Sequence, residues 1–260
     1  MLRTLLSVAG AYKIYEKWLQ YQVKNGNKPE HIAIILDGNR RWASGQSFSP
    51  LLGHHFGAVR VEDLLDWCLD LEVKSITLYA FSTENFQRPP KEVEQIMQIA
   101  EEKLRKILTD ERIHKNRVRV KVIGRMGLLP KSLQELIREV EEATRDYDQH
   151  FLNVAFAYGG RAEIVDATKK IALEIEKGKL KPDAIDEQVF ENHLYTAYLP
   201  QQEPDLIIRT SGEERLSGFL LWQSAFSELC FLDVYWPEFR RIDLLRAIRT
   251  YQQRKRRFGK

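Results

Sequence analysis

The stretch from Ile34 to Trp42, IILDGNRRW, passes within a few residues from apolar to charged side chains. A second stretch, DLIIRTSGEERLS from Asp205 to Ser217, contains the same change. Short apolar runs of this kind are typical of buried parallel strands that end in loops. Because ligand sites of open α/β sheets lie at the carboxyl ends of the strands, the two stretches are predicted to form one site.

Apolar runs and helical patterns alternate through almost the whole chain. Strands are expected at 31–36, 75–81, 118–123, 151–157, 206–208 and 228–232. Helices are expected at 53–71, after Pro89 and Pro90, and at 133–143, 161–176, 187–198 and 242–257, with a helix or turn over 219–226. This order predicts one α/β domain over 31–260, with a mostly parallel six-stranded sheet flanked by helices.

Composition limits the function classes. With 43% hydrophobic residues the chain can form a core, and no apolar run approaches the roughly 20 residues of a membrane-spanning helix. Cys68 and Cys230 stand outside any metal-binding spacing. They are interpreted as buried free thiols, which favours a cytoplasmic protein.

The first 30 residues are expected to form an amphipathic helix, with Leu2, Leu5, Leu6, Ala9 and Ile14 on its apolar side. Two interpretations stay open. The helix packs on its own domain or frays, or it lies on a membrane surface.

The C-terminal segment 240–260 carries nine Lys and Arg residues and one Asp. Such a segment suits nucleic acid, anionic lipid, a phosphorylated substrate or simply solvent. No P-loop, no G-x-G-x-x-G and no nucleic-acid motif is present. The triplet at Gly159 to Arg161 could bind an anion at a helix N-terminus, but a tight turn is favoured.

The side chains in the two opening stretches suit a diphosphate. A carboxylate such as Asp37 suits Mg²⁺, and arginines such as Arg209 suit phosphate oxygens. The chain is therefore predicted to act on a doubly phosphorylated small molecule.

An ordered set of motifs supports a more specific identification. The motifs are DGNRRWA from Asp37, GH at Gly53, YAFSTENF from Tyr79, RP at Arg88, RTSGEERLS from Arg209, FLLWQ from Phe219 and EL at Glu228. From about residue 31 to 259 the chain resembles cis-prenyltransferases, the undecaprenyl diphosphate synthase family. The Asn-Arg-Arg form of the first motif is more similar to archaeal or actinobacterial members.

The resemblance implies a reaction. An allylic diphosphate, geranylgeranyl or farnesyl diphosphate, loses its diphosphate while isopentenyl diphosphate attacks its C1. Loss of a proton leaves a new Z double bond, and repetition gives a polyprenyl diphosphate that is a precursor of a glycosyl carrier lipid. A lipid product makes a contact with the inner face of the membrane plausible.

The resemblance also implies the roles of the first motif. Asp37 is expected to organise Mg²⁺ and the allylic diphosphate, and the alternative is a simple helix cap. Gly38 lets the backbone approach the phosphates. The side chains expected to bind substrate beside it are Asn39, Arg40, Arg41 and Trp42.

Other motifs supply the second substrate site and a second carboxylate. Arg209, Arg215, Leu216 and Ser217 are expected to bind isopentenyl diphosphate. Glu228 resembles the second metal-binding carboxylate of the family, against the alternative of a surface ion pair. His54 resembles the histidine near the diphosphates.

The segment after the second strand is expected at the same sheet edge. Asn85 is treated as an orienting group, because an amide is a poor base. Phe86 lines the substrate or packs in the core. The other residues expected to bind substrate here are Ser82, Thr83, Glu84 and Arg88. An apolar tunnel for the product is expected beside Ala80, Phe81, Val93, Ile96, Met97, Ala100 and Leu104.

Three further expectations follow from the resemblance. Arg257 and Gly259 resemble a tail that crosses a homodimer interface to the partner's isopentenyl diphosphate. Pro50 stands where many members carry an arginine, which leaves the choice of allylic substrate open. The alternatives to a catalytic homodimer are an activating subunit without catalysis and, less favoured, a nucleic-acid-binding protein.

Overall fold

A computed structural model describes residues 10–254, and its centre is a six-stranded sheet. The strands, in chain order, are β1 (His31–Ile35), β2 (Ser75–Ser82), β3 (Val118–Ile123), β4 (His150–Tyr158), β5 (Leu206–Arg209) and β6 (Glu228–Phe231). Their order across the sheet is β3-β4-β2-β1-β5-β6, and every neighbouring pair is parallel. The predicted α/β fold and all six predicted strands are confirmed.

Helices cover both faces of the sheet. They are α1 (Ala11–Lys24), α2 (Asn39–Gly45), α3 (Pro50–Asp70), α4 (Pro90–Ile107), α5 (Glu111–Lys115), α6 (Lys131–Ala143), α7 (Gly160–Glu176), α8 (Glu187–Glu191) and α9 (Arg241–Gln253). Short 3₁₀ helices lie at Thr83–Gln87, Met126–Leu128, Pro182–Ala184 and Trp236–Glu238. Within residues 10–254, every helix is too short or too polar to span a bilayer.

The helix predicted over 187–198 is wrong beyond Glu191. The Tyr195 N–H donates to the buried Glu163 carboxylate at 2.8 Å instead of to a carbonyl one turn earlier. Thr196 is also buried, and its hydroxyl accepts a hydrogen bond from Gln223 at 3.0 Å. The first contact satisfies the Tyr195 N–H, and both contacts stabilise turns in a segment where the sequence pattern predicts a helix.

The central strands explain the fold. All five residues of β1 are buried, as in a strand covered on both faces. On one face Tyr79 of β2 stacks on Phe219 with ring centroids 4.7 Å apart. The larger cluster on the other face joins α3, α4, α6 and α9 to the sheet. Cys68 is fully buried there, whereas Cys230 in β6 is only half-buried.

Helix α1 packs on the domain through one side only. Leu19 and Val23 are buried in the main core, which also contains much of α9. Ile14, expected on the apolar side, is exposed. The other residues assigned to that side, Leu2, Leu5, Leu6 and Ala9, lie outside the described residues.

An irregularity in β2 opens space at the carboxyl edge. The pairing of β2 with β4 shifts register between Tyr79 and Phe81. Ala80, between them, is exposed although both neighbours are buried. Register shifts of this kind commonly re-aim side chains beside functional sites.

Candidate active site

The carboxyl ends of β1, β2 and β5 border one open cleft of about 1230 Å³. Both opening stretches of the sequence contribute to its walls, as the sheet topology requires. The predicted site residues that line the cleft are Asp37, Gly38, Asn39, Arg40, Arg41, His54, Ser82, Thr83, Glu84, Asn85, Arg88, Arg209 and Ser217.

Asp37 and Arg209 form the centre of the cleft floor. Arg209, in β5, is 4% exposed and donates from Nη2 to Asp37 Oδ2 at 2.8 Å. Its Nη1 donates to Ser217 Oγ at 2.8 Å and also to the Arg215 carbonyl. Burial alone raises the pKa of Asp37, but the hydrogen bond and charge of Arg209 outweigh it and lower the pKa. Asp37 is therefore ionised at neutral pH.

The loop that carries Asp37 is held at both ends. The Asp37 N–H donates to Thr210 Oγ1 at 3.0 Å, and the Trp236 N–H donates to the Asp37 carbonyl at 3.0 Å. Gly38 has φ 103°, and a Cβ there would lie 2.6 Å from the Tyr235 ring. Only glycine fits this turn without strain, which explains the Asp-Gly pair.

Arg41 ties the first motif to the second. Its Nη2 donates to Ser211 Oγ at 2.6 Å and to Asp37 Oδ1 at 3.2 Å, and its Nη1 donates to Glu213 at 3.0 Å. Both oxygens of Asp37 therefore face a guanidinium. Glu213 also pairs with Arg215, so this carboxylate, for which the sequence predicts no role, orients two arginines.

A buried carboxylate organises the opposite wall. Glu92 Oε1 lies 3.1 Å from His54 Nε2, 3.3 Å from Arg88 Nη1 and 3.7 Å from Arg40 Nε. Burial lowers the pKa of His54, and the hydrogen bond to Glu92 opposes this effect. From its position at the start of a helix, Glu92 is predicted to order the loop before it, but its contacts with His54 and two arginines are not predicted.

Glycines place His54 at the cleft. A Cβ at Gly53 would lie 2.3 Å from the Asn39 carbonyl oxygen, and one at Gly57 would lie 2.4 Å from Asn39 Oδ1. Helix α3 therefore needs glycine at position 53, where the neighbouring atom belongs to the backbone, to lie this close to α2. The Gly-His pair of the sequence is explained by this close approach.

The third wall combines the end of β2 with the start of α7. Asn85 Oδ1 accepts a hydrogen bond from the Ser82 N–H at 3.1 Å, which fixes the turn after the strand. Gly160 and Arg161 line the cleft opposite, and the Gly160 N–H donates to the Gly218 carbonyl at 2.7 Å. The turn predicted at Gly159 to Arg161 thus also brings a cation to the cleft.

A smaller apolar cavity of about 190 Å³ lies behind the cleft between α3, α4 and the sheet. The two share the lining residues Leu36, Asn39, His54, Ala80 and Ile96. Among the residues expected along a tunnel, Ala80, Ile96, Ala100 and Leu104 line this cavity. Phe81 lines the cleft, whereas Val93 and Met97 pack in the core.

Several predicted residues lie elsewhere. Trp42 packs against Phe56 with ring centroids 5.1 Å apart. Phe86 packs on Phe81 at 4.9 Å, in agreement with the alternative that Phe86 belongs to the core. The others outside the cleft lining are Arg215, which is exposed, and Leu216, which packs beside the Tyr79 cluster. Arg257 and Gly259 lie outside the described residues.

Glu228 is not brought to Asp37 within one chain. It begins β6 in register with Leu206 and therefore lies at the amino edge of the sheet. Asp37 follows β1 at the carboxyl edge. Glu228 pairs with Arg254 Nη1 at 2.6 Å, which corresponds to its ion-pair alternative. The two carboxylates therefore do not meet within one chain, and the metal role of Glu228 stays a prediction.

The cleft fits a magnesium ion that arrives with a diphosphate. Among residues 10–254 no group of three or more His, Cys, Asp or Glu side chains could hold a metal ion. Asp37 offers one ionised carboxylate at the cleft floor. Because Mg²⁺ often combines one or two carboxylates with substrate phosphate oxygens, this donor set fits it.

Comparisons with known proteins identify the family of this chain. Residues 35–259 match the family model described as "Putative undecaprenyl diphosphate synthase". Two archaeal relatives are each named tritrans,polycis-undecaprenyl-diphosphate synthase (geranylgeranyl-diphosphate specific). The Methanocaldococcus jannaschii protein is 53% identical over 98% of this chain and 91% of its own length. The Archaeoglobus fulgidus protein is 54% identical over 94% of this chain and 97% of its own.

A solved structure shows the same fold. Lavandulyl diphosphate synthase from Lavandula x intermedia, in complex with dimethylallyl diphosphate, is 37% identical and has a TM-score of 0.85. The similarity covers 90% of this chain and 99% of that one. This chain therefore belongs to the undecaprenyl diphosphate synthase family of cis-prenyltransferases.

Proposed function

We propose that this protein condenses isopentenyl diphosphate repeatedly onto an allylic diphosphate and releases a Z-polyprenyl diphosphate. The observation that carries the proposal is a cationic cleft that borders an apolar cavity. The arginines that line the cleft are Arg40, Arg41, Arg88, Arg161 and Arg209. Such a cleft suits a diphosphate head, and such a cavity suits a hydrocarbon chain.

The chemistry assigned to the cleft is substitution at an allylic carbon. The C1–O bond of the primer breaks and its electron pair leaves with the diphosphate. The π electrons of isopentenyl diphosphate form the new bond to C1, and loss of a proton from the adduct gives the Z double bond. Arginines that face the departing oxygens stabilise the charge that develops there.

Asp37 would hold Mg²⁺ together with diphosphate oxygens. The ion supplies further neutralisation of the leaving group when it is bound. The hydrogen bonds from Arg209 and Arg41 keep the Asp37 carboxylate in place. Gly38 leaves the backbone beside it free of a side chain that would meet the phosphates.

The second substrate is assigned to Arg209, Arg215 and Ser217. Arg209 is committed to Asp37 and Ser217, so it contributes mainly a fixed positive charge. Arg215 is 62% exposed and paired only with Glu213 among the described residues, so it can turn to a diphosphate. Two arginines of different mobility would thus bind one anion.

Proton removal does not require a strong protein base. The amide of Asn85 is fixed by Ser82 and can orient isopentenyl diphosphate. The departing diphosphate is then the proton acceptor. Phe86 has no part in this step, since it faces Phe81.

The preferred primer is geranylgeranyl diphosphate, because both archaeal relatives carry that specificity in their names. The product would serve as a glycosyl carrier precursor. Pro50, which lines the cleft, brings no charge there, and Arg40 takes the place of the missing cation.

A homodimer is part of the proposal. Val165 and Leu173 of α7 and Phe226 are exposed apolar side chains that a second copy would cover. The tail with Arg257 and Gly259 would then reach the partner's isopentenyl diphosphate. Light scattering of the purified chain measures this state directly.

Catalysis is preferred to the activating-subunit alternative. The Asp37 to Trp42 motif is complete, and the ionised carboxylate of Asp37 lines the cleft. A subunit without catalysis has no use for that arrangement.

The decisive experiment incubates the purified protein with Mg²⁺, labelled isopentenyl diphosphate and geranyl, farnesyl or geranylgeranyl diphosphate in turn. A ladder of Z-polyprenyl products, longest and fastest with geranylgeranyl diphosphate, is expected. Asp37→Asn should remove the ladder, and Glu94→Gln, an exposed change outside the cleft, should retain it. No product with any primer from a folded wild-type protein would overturn the proposal.

A further inference from the structure

Helix α1 presents an apolar stripe to solvent. Ile14, Trp18 and Tyr21 are 70%, 48% and 67% exposed. Their spacing of four and three residues puts them on one side of the helix. The helix is nevertheless firmly attached, because Leu19 and Val23 on another side are buried in the core. Within the part of the chain that the structure describes, this apolar stripe therefore stays largely uncovered.

Cations flank this stripe on both sides. Lys13 and Lys17 are exposed on the neighbouring side of α1. On the other side, Arg246 of α9 lies over the Tyr15 ring at 5.3 Å. The acidic side chain of the same helix, Glu16, is only half-exposed. The rim is therefore predominantly positive.

We propose that α1 docks the protein peripherally on an anionic lipid bilayer. Trp and Tyr side chains are preferred at the boundary between headgroups and acyl chains. Lys and Arg beside such a stripe add attraction to anionic headgroups. In this orientation Ile14 and Trp18 enter the acyl boundary while the lysines contact headgroup phosphates.

The charges favour a bilayer over a second copy of the chain. A symmetric contact through this stripe would place Lys13 and Lys17 of one copy near the same residues of the other. Like charges at such a contact are destabilising, whereas an anionic surface is attractive to every cation of the rim.

The position of α1 relates it to the apolar cavity. Lys24 and Gln20 both contact Asp70, each at 3.2 Å, at the end of α3. One turn earlier on α3, Asp66 binds Arg112, which lines the far side of the apolar cavity. These contacts place the docking surface near the end of the apolar cavity. This relation between surface and cavity rests on the proposed function, which assigns the cavity to the lipid chain.

The experiment measures binding of the full chain, without substrates, to sedimented vesicles. One set contains phosphatidylglycerol and phosphatidylcholine, and the other phosphatidylcholine alone. Wild type should prefer the anionic set, and the triple variant Ile14→Ser, Trp18→Ser, Tyr21→Ser should lose about tenfold or more in partition. Leu128→Ser, which removes an equally exposed apolar side chain far along the chain, should bind like wild type.

Two further variants separate the contributions. Lys13→Glu with Lys17→Glu should lose the anionic preference. Brominated lipid should quench the fluorescence of Trp18, and Trp18→Phe should keep sedimentation but lose that quenching. Asp37→Asn, inactive under the proposed function, should bind as well as wild type, so a failure of catalysis leaves this test intact.

Three outcomes would overturn the inference. The first is no sedimentation of wild type with anionic vesicles. The second is equal binding of the triple variant, which would place the contact elsewhere in the chain, for example in residues 1–9. The third is a wild-type dimer that the triple variant converts to a monomer, which would assign the stripe to a second copy.

Discussion

Arg209 donates a hydrogen bond to Asp37 at 2.8 Å although 172 positions separate the two residues in the chain. The contact arises because β1 and β5 are parallel neighbours, with Ile35 in register with Arg209. The guanidinium is almost completely buried, and Asp37 supplies its compensating charge. The same carboxylate is the expected partner of the substrate, so stability and function depend on one group.

Asp37→Ala is expected to lower the free energy of unfolding by about 2 kcal/mol, because it leaves a buried guanidinium without its charge partner. The estimate is below the range for fully buried pairs, since Asp37 itself is partly exposed. Urea unfolding measures the change. Glu213→Ala, which breaks more exposed ion pairs, should cost well under 1 kcal/mol. Equal losses in the two variants would contradict this assignment.

Glu92→Gln is expected to lower the pKa of His54 further. Burial already lowers that pKa, and the carboxylate charge of Glu92 opposes the effect. Without the charge, the protonated ring loses stabilisation while burial persists. Titration of labelled histidine by NMR measures the shift, with His54→Gln to assign the signal.

The same substitution should also disturb the two arginines that share Glu92. Arg88 and Arg40 would lose their common anchor, so KM for the allylic diphosphate should change. Glu94→Gln, an exposed neighbour on α4, is the matched control. An unchanged His54 titration in Glu92→Gln would show that the hydrogen bond does not exist in solution.

The parts of the fold that local sequence controls could be predicted. Uninterrupted apolar runs such as 32–35 and 206–208 are buried on both faces, so they identify the parallel sheet. Parallel strands then force Asp37 and Arg209 to one edge, whatever their separation in the chain. Glycines such as Gly53 are informative for the same reason, since a backbone contact excludes any other residue.

The remaining features depend on partners distant in the chain. The segment after Glu191 is not helical because Glu163 of α7 captures the Tyr195 N–H. The role of Glu92 arises from two arginines and a histidine that lie outside α4. For Glu228, by contrast, the sequence itself indicates that the residue lies away from Asp37. A residue at the start of a predicted parallel strand must lie at the amino edge, away from Asp37.

Arg161→Ala is expected to raise KM for isopentenyl diphosphate about tenfold, because one charge-assisted hydrogen bond to the diphosphate would be lost. Arg161 lines the cleft directly after Gly160, whose N–H donates to the carbonyl of Gly218, the residue that follows Ser217. Although burial alone raises the pKa of the Glu84 carboxylate, nearby hydrogen bonds and the charge of Arg161 lower it. An exposed pair of this kind contributes well under about 1 kcal/mol, so unfolding should change little. Arg138→Ala, an exposed arginine on α6, should change neither value. A loss of stability with unchanged KM would instead indicate a structural role.

Acid is expected to destabilise the fold through His31. The ring is fully buried between Thr77 Oγ1 at 2.8 Å and the Gln201 carbonyl at 3.1 Å. Burial lowers its pKa from 6.5 to about 4. Between these values the unfolded chain binds a proton that the native protein does not. The free energy of unfolding therefore decreases as the pH is lowered, by about 3 kcal/mol in all.

Urea unfolding at a series of pH values tests this dependence. His31→Gln should reduce the slope between pH 6.5 and pH 4 by about one proton. Gln98→Ala removes an exposed side chain that does not titrate and should leave the slope unchanged. Identical slopes for wild type and His31→Gln would contradict burial of a neutral ring.

Ala80→Leu is expected to shorten the polyprenyl product. Ala80 lies at the register shift of β2 and lines both the cleft and the apolar cavity. A leucine there would narrow the passage between them, where His54 and Ile96 also lie. Filling that space opposes entry of the growing chain, because close-packed interiors accommodate added methyl groups poorly.

Chain-length analysis of labelled products with geranylgeranyl diphosphate provides the measurement. The first additions should proceed at nearly the wild-type rate, since the arginines of the cleft are untouched, and the ladder should stop several units earlier. Ala184→Leu, on the exposed surface, should give the wild-type ladder. A full-length product from Ala80→Leu would exclude this cavity as the path of the hydrocarbon chain, because the change acts where cleft and cavity meet.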